Sequence, residues 1–552
     1  MAYAPDAPAP FPAGMTSQRH RSAQALRISE LLLTLLAIVI SAGAYALVGL
    51  GAEDTVPANV YKYAGWLAGL ALVLHIIVWW RARYADPVLV PLAVLLNGLG
   101  LAMIYRIDVA KTAAGRESSA AVSQLMWMTL GIILCAVVVI LLRDHRMLRR
   151  YTYLSGLAAI VLLMMPLVPG LGKTINGARI WIGVGGMSFQ PGEIAKICLA
   201  VFFAGYLVSF RDQLVLAGPK ILGMQFPRPR DLGPIIIAWI ASVGILVLQR
   251  DLGTSLLFFG LFVAVLYVGT GKKAWIFLGL GMFTAGAFVA SRIFSHVQQR
   301  LDGWLDALNP DMYNRKFGGS YQLVQGLFGM AKGGLGGAGL GNGRPHIVPY
   351  AESDFIYASL GEELGLVGMF AILLLYVVLF ERGMKIAQQL RDGFGTLLAA
   401  GLSFTIALQC FIVIGGVTRL IPLTGLTTPF LAYGGSSLIA NWIIIGLMLR
   451  MSDNSRRPAE EFQTGVLTIQ KPADEDEAHE SALASTLGRL RSKRRVHRPD
   501  SGPATPESGY EVYETGERIA TPASGPAPGA HTSGPAADDA PTTNLQRGGD
   551  WQ

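Results

Sequence analysis

Between about residue 31 and residue 450 the chain is a succession of apolar runs, each close to twenty residues long, broken by short segments that carry most of the charge. That pattern leaves few folds open. A helical residue rises ~1.5 Å and the hydrocarbon core of a bilayer is ~30 Å thick, so ~20 apolar residues cross it. In lipid every backbone N–H and C=O must be satisfied within the protein, and runs this long and this uniformly apolar do so as helices. The sequence therefore predicts an all-α polytopic membrane protein of about twelve spans. They fall near 31–50, 64–80, 87–105, 124–142, 152–168, 193–210, 233–248, 253–270, 273–290, 355–380, 395–417 and 428–450. Only 15% of residues are charged, against about 25% in soluble domains, so a soluble enzyme is excluded. The net charge of +8 is spread between spans and does not form one patch, which argues against nucleic acid as a partner. Cys135, Cys198 and Cys410 lie inside apolar runs with no CxxC or Cys/His spacing, so neither a disulfide framework nor a zinc site is indicated.

Positive residues resist translocation, so Lys and Arg in short loops report sidedness. Arg19, Arg21 and Arg27 precede the first span, and Arg143, Arg146, Arg149 and Arg150 follow the fourth; the alternate short loops are poorer in basic residues. Both termini are expected in the cytoplasm. The chain then divides into a cytoplasmic leader (1–28), a first pair of spans (29–85), a main membrane body (86–451) and a tail (452–552). Residues 291–354 form a large extracellular loop within the body, ending in a glycine-dense stretch from Gly333 to Gly343. Structureless loops of this length are uncommon unless they carry function. The tail is rich in Pro, Ser, Thr, Gly and Ala, with too little apolar surface to fold, and is expected to be disordered. Its basic cluster from Arg489 to Arg498 is either a solvated charge run or a contact for anionic lipid headgroups.

Charged and polar residues at membrane depth are costly and tend to pair or line a cavity. Glu193 and Lys196 open the sixth span three residues apart, on one helix face; they are either a functional pair or a helix-start cap with an incidental ion pair. Arg250 and Asp251 read as a topological turn or as a second functional pair. Lys173, Arg179 and Trp181 fall on the side predicted to face out, where Trp serves as an interface anchor or as a cover for a sugar ring. His75 reads as a satisfied packing residue. Pro422 to Phe430, running into Tyr433-Gly434-Gly435-Ser436-Ser437, implies either broken backbone lining a cavity or a packing seam of small residues.

Taken together, several strings between about Asp86 and Met451 resemble the SEDS family, the RodA and FtsW polymerases of bacterial peptidoglycan. They are Gly177-Ala178-Arg179-Ile180-Trp181, Gln190-Pro191-Gly192-Glu193, Asp251-Leu252-Gly253-Thr254, Tyr321-Gln322, Ser353-Asp354-Phe355-Ile356, Gly361-Glu362-Glu363-Leu364-Gly365 and Pro429 to Ser437. The resemblance implies a ten-helix core with the first two spans added, as in extended RodA-like members. Gly192 and Ala432 stand where the family commonly has Ser, and the loop between Trp304 and Tyr321 is longer than usual, with the order Pro310-Asp311.

The resemblance also implies chemistry. A family member in the bacterial cell membrane polymerises lipid II, the undecaprenyl-pyrophosphate-linked disaccharide pentapeptide. The 4-hydroxyl of one GlcNAc attacks the anomeric carbon of another lipid-linked chain and gives a β-1,4 product with inversion. Such a step needs a base at the hydroxyl and positive charge at the departing pyrophosphate. By analogy with the family's loop aspartate the base is Asp311, with Asp306 as the alternative. Lys173, Arg179, Trp181, Arg300 and Gln322 are expected at the substrate, and Glu193, Lys196, Asp251, Ser436 and Ser437 are expected to line the core cavity. No cofactor is implied with certainty; a divalent cation, Mg2+ or Mn2+, is compatible with the chemistry. The expected partner is a class B penicillin-binding protein. Thr418-Arg419-Leu420 and the added span pair point to an elongation role. The rival readings are a division-type polymerase, a lipid II flippase or transporter, and a noncatalytic scaffold for a penicillin-binding protein.

Overall fold

The computed structural model describes residues 14–175, 177–184, 187–215, 220–221, 224–225, 236, 240, 244, 247–315 and 318–457. Eleven helices among them are long and apolar enough to cross a membrane. The predicted seventh span, 233–248, lies largely outside the described residues, as do the tail from 458 onward and its basic cluster. In chain order the helices are α1 (Gly14–Glu53), α2 (Val60–Arg81), α3 (Leu89–Ala113), α4 (Ala120–Leu141), α5 (Thr152–Met164) and α6 (Gly192–Val215). They continue with α7 (Leu252–Thr270), α8 (Ala274–Ile293), α9 (Ser295–Leu305), α10 (Pro310–Tyr313), α11 (Tyr321–Gly333), α12 (Ile356–Gln389), α13 (Gly393–Val417) and α14 (Gly435–Arg456).

The helices start and stop where backbone chemistry directs. Asp251 caps α7, its carboxylate accepting from the Thr254 amide (3.1 Å) and hydroxyl (2.6 Å), and Asp392 caps α13 through the Gly395 amide (2.8 Å). Gly271 ends α7 at φ 68°, the left-handed conformation that closes a helix with an amide turned back to Tyr267. Burial sorts the helices: 89% of the apolar window in α14 and 83% in α3 is inside the protein, against 17% in α8 and 33% in α1 and α2. Helices α3 and α14, which carry many of the buried polar side chains, thus form the centre, and α8 and the added pair turn apolar side chains outward, as lipid-facing helices do.

Four sequence expectations change. The first span starts earlier than 31, because α1 begins at Gly14, inside the assigned leader. Arg27, taken as a sidedness signal, is buried: its guanidinium pairs with Glu30 and donates to the Ala85 carbonyl, and Glu30 also lies 2.9 Å from His75 Nδ1. An ion cannot be left bare in an apolar interior, so the pair and His75 stitch α1, α2 and the start of α3 together. The last span starts at Gly435 instead of 428, because Thr427–Gly434 is an irregular segment buried in protein. It ends at Arg456, five residues past the assigned tail boundary; Asp453 accepts from the Tyr84 amide (3.0 Å) and Arg457 (2.7 Å), and Arg456 pairs with Asp86 (2.8 Å). The all-α framework also carries a small antiparallel meander, β1 (Gly172–Ile175), β2 (Ala178–Val184) and β3 (Met187–Phe189), and a two-residue pair, Lys220–Ile221 with Met224–Gln225.

The long loop is structured. Helices α9, α10 and α11 fill it, and the glycine-dense stretch folds back on α12. Glu363 accepts from Arg106 Nε (2.9 Å) and the Gly341 amide (2.9 Å); Glu362 accepts from Lys332 (2.9 Å) and the Arg344 amide (2.8 Å). Gly337 (φ 85°) and Gly365 (φ 68°) meet at this fold-back, where added Cβ atoms would fall within 2.3 Å of opposing backbone. The outer end of α1 joins the same node: a Cβ on Gly51 would sit 2.2 Å from the Leu340 carbonyl oxygen.

Candidate active site

Two buried polar layers converge beneath the long loop. The deeper one centres on Lys196, whose ammonium lies 2.5 Å from Glu193 Oε2, 3.0 Å from Gln409 Oε1 and 3.4 Å from Asn441 Oδ1. Gln409 in turn donates to the Thr427 carbonyl (2.9 Å) and Asn441 to the Ser437 hydroxyl (3.2 Å). Helices α6, α13 and α14 are therefore joined through one cation, which pairs with Glu193 and donates to Gln409 and Asn441. The Gln190 amide donates to the Ser436 hydroxyl (2.8 Å), which fixes the turn leading into α6 against the start of α14. Glu193, Lys196, Ser436 and Ser437, expected to line a cavity, are brought together in this layer. Gln409 and Asn441 were missed, although an amide inside an apolar run is the same signal that marked Lys196.

The upper layer is built on Arg300, on the first loop helix α9. Its guanidinium donates to the carbonyls of Thr424 (2.9 Å) and Leu423 (3.3 Å), and it lies in the electrostatic reach of both Asp251 and Asp354. Trp304, one turn later, donates to the Arg419 carbonyl (3.0 Å), and Arg419 returns a bond to the Trp304 carbonyl (2.8 Å). The loop is thus locked to the broken segment before α14. Gln322 donates to the Pro349 carbonyl (2.8 Å) and reaches Asp354 Oδ1 at 3.5 Å. Asp354 was quoted in the sequence only as part of a string and given no role. Burial, with Glu352 adding to it, pushes its carboxyl up to about 7, against the opposing pull of Arg300 and Gln322. A half-buried carboxyl raised by desolvation within the field of an arginine is a candidate for a reacting group.

The two aspartates expected as base lie on the same loop, beyond Trp304. Both are exposed. Asp306 accepts from Asn309 Nδ2 (2.8 Å), and Asp311 stands in the first turn of α10, which Asn309 caps through the Asp311 amide (2.9 Å). The helix that carries Asp311 is tied inward through the Tyr313 hydroxyl, which accepts from Gln325 (2.7 Å), one turn after Gln322. Lys173 and Trp181 pair across β1 and β2, and Arg179 donates to the Val168 carbonyl (3.3 Å). The meander is held near α7 by the Arg179 amide bond to the Gln249 carbonyl (3.2 Å). Nothing described places Lys173, Arg179 or Trp181 in contact with Asp311. Among the described residues no three His, Cys, Asp or Glu side chains converge as a metal cage; the positive charge facing the acids comes from Arg300 and Lys196.

Comparison with known proteins follows the same boundaries. The FtsW, RodA and SpoVE family profile, described as cell cycle protein, matches residues 87–457, so it begins after the added pair and ends at the last described residue. The peptidoglycan glycosyltransferase RodA of Mycobacterium tuberculosis is 48% identical over 437 residues, covering 78% of this chain and 92% of that one. The RodA of Mycobacterium leprae is 45% identical over 441 residues, covering 78% and 91%. The stage V sporulation protein E of Bacillus subtilis is 35% identical over 390 residues, covering 67% and 98%. Among solved structures, a chain of a peptidoglycan synthase complex that coordinates polymerization and crosslinking superposes with a TM-score of 0.54 at 26% identity, covering 68% of this chain and 99% of that one.

Proposed function

This chain belongs to the FtsW, RodA and SpoVE family, and from that premise we propose how its loop face joins lipid-linked sugars. It is a multi-pass membrane peptidoglycan glycosyltransferase of the elongation type. The observation that carries the proposed site is the Lys196 layer and, beside it, Arg300, on the loop that also carries Asp311, with two acids, Asp251 and Asp354.

In the proposed reaction the acceptor's GlcNAc 4-hydroxyl attacks the donor's anomeric carbon from the face opposite the pyrophosphate. The new C–O bond forms as the bond to the pyrophosphate breaks, the hydroxyl proton passes to Asp311, and the pyrophosphate leaves with its electron pair. A base of this kind contributes ~10² to 10⁴ in rate. Arg300, with Lys173 and Arg179 at the meander, supplies positive charge for the leaving group; Gln322 and Trp181 position sugars. Glu193, Lys196, Asp251, Ser436 and Ser437 hold the floor. No step is routed through Mg2+ or Mn2+. Polymerisation of lipid II by the purified chain tests this reading against a flippase or a scaffold, neither of which makes glycan.

The orientation is part of the proposal: both termini inside, residues 291–354 outside. Cys135 and Cys410 are buried and Cys198 is half-buried within α6, so with Cys198→Ser as the background Asn342→Cys is an exposed reporter in the glycine-dense stretch. A membrane-impermeant maleimide is expected to label it in intact cells; labelling only after permeabilisation reverses the orientation. The partner is proposed to be a class B penicillin-binding protein that binds the membrane body. Deleting residues 460–552 is expected to leave co-purification of that complex unchanged, and loss of the complex on truncation assigns the tail to the interface instead.

A further inference from the structure

The added pair does not close tightly on the core. Helix α1 lies along α3, but α2 is tied to α4 by two separated bonds, Trp66 Nε1 to Thr129 Oγ1 (3.0 Å) and Arg81 to the Ile140 carbonyl (2.9 Å). Between the pair and helices α3 and α4 opens a cavity of about 1190 Å³, whose lining includes no residue of the Lys196 or Arg300 layers. Its lining is graded. Glu53, Asn59 and Lys62, at the ends of α1 and α2 nearest the long loop, form the mouth; Val122, Met126 and Ile133 of α4 form an apolar wall deeper in. From Ser119 to Ile133 the α4 wall runs about 21 Å at the helical rise, more than the ~15 Å half-thickness of a bilayer's hydrocarbon core.

The back of the mouth is aromatic and rigid. Tyr45 stacks between Tyr63 and Tyr105, both at 4.3 Å between ring centroids, and its hydroxyl donates to Asn59 Oδ1 (3.2 Å). Of the charged groups lining the cavity, Asp108 is spent: it accepts from the Ser118 hydroxyl and the Ala121 amide and so caps α4. Glu53 and Lys62 show no ion pair among the described residues. The wall itself is open to the side: Val122 is 70% exposed and Trp66 54%.

We propose that this cavity is a binding site for a diacyl phospholipid with a zwitterionic primary-amine headgroup, which enters sideways from the leaflet on the long-loop side. The phosphate meets Lys62, the ammonium meets Glu53 and the tyrosine faces, and one acyl chain follows the α4 wall. One unspent charge of each sign is what such a headgroup complements, whereas an anionic headgroup satisfies Lys62 and sets its charge against Glu53. The polar-to-apolar grading over more than one leaflet's depth matches a lipid and fits poorly with a soluble ligand.

The test uses the full chain in phosphatidylglycerol nanodiscs doped with phosphatidylethanolamine that carries a photoreactive diazirine on one acyl chain. Irradiation and peptide mapping are expected to place adducts on 119–133 and 59–66, and unlabelled phosphatidylethanolamine is expected to compete. Neutralising both charges together (Glu53→Gln with Lys62→Gln) is expected to lower the yield by about fivefold, roughly 1 kcal/mol for interfacial charge contacts. Val122→Trp, which fills the cavity without touching the charges, is expected to lower it as well. Adducts spread over all outward-facing helices, a yield unchanged in both variants, or displacement by lipid II but not by phosphatidylethanolamine would each overturn the assignment.

Discussion

Asp311→Asn is expected to reduce glycan synthesis from lipid II by at least about a hundredfold while leaving the protein folded and able to bind its partner. The side chain is exposed and is not engaged in capping, since Asn309 performs that task through the Asp311 amide. Exchanging carboxylate for amide therefore removes a base and little else. Asp306→Asn belongs beside it, because Asp306 ends α9 and is bonded to Asn309, the residue that caps the helix carrying Asp311. Asp354→Asn is the third arm. If Asp354 were the base, activity would rise with pH through about 7, where its carboxyl ionises, and the variant would lose that step. If Asp311 acts, Asp354→Asn keeps most of the rate and Asp311→Asn does not. Normal polymerisation by Asp311→Asn together with a dead Asp306→Asn moves the base to Asp306; full activity in both sinks the loop-carboxylate mechanism.

The second large effect is on stability. Lys196→Met leaves Glu193 buried without its counter-charge and removes the donor shared by Gln409 and Asn441. Breaking one side of a buried pair typically costs ~3–5 kcal/mol, so thermal unfolding in detergent is expected to occur well below the wild-type temperature, with lower yield of folded protein. The double variant Glu193→Gln with Lys196→Met removes the stranded charge and is expected to recover much of that loss. Equal stability of the single variant and the parent would show that the pair carries no structural weight.

Much of this architecture is legible in the residues because the bilayer enforces a single rule. Twenty apolar residues name a span, and eleven of the expected twelve have a matching helix among the described residues, though some ends shift by up to about nine positions. What escaped reading depends on partners far away in sequence. Arg27 looks like any basic residue before a span, and only the fold brings Glu30, His75 and the Ala85 carbonyl around it. The meander at 172–189 has strands of three to seven residues, too short for alternation to speak over the loop composition. The last span begins late because Pro429 and the glycines that follow cannot sustain a helix, so its apolar side chains pack as irregular chain. In the site, charge inside apolar sequence betrayed Glu193, Lys196 and Asp251; Asp354, at a helix entrance, lacked that contrast.

The close approach of Gly51 to the Leu340 carbonyl has a mechanical meaning. Helix α1 is 40 residues long, about 60 Å of stiff rod at the helical rise, and its far end meets the fold-back that Glu363 and Arg106 hold together. Axial push or pull on the residues around 14 is delivered across the full thickness of the bilayer to that fold-back, so whatever grips the start of the chain holds a pushrod to the long loop.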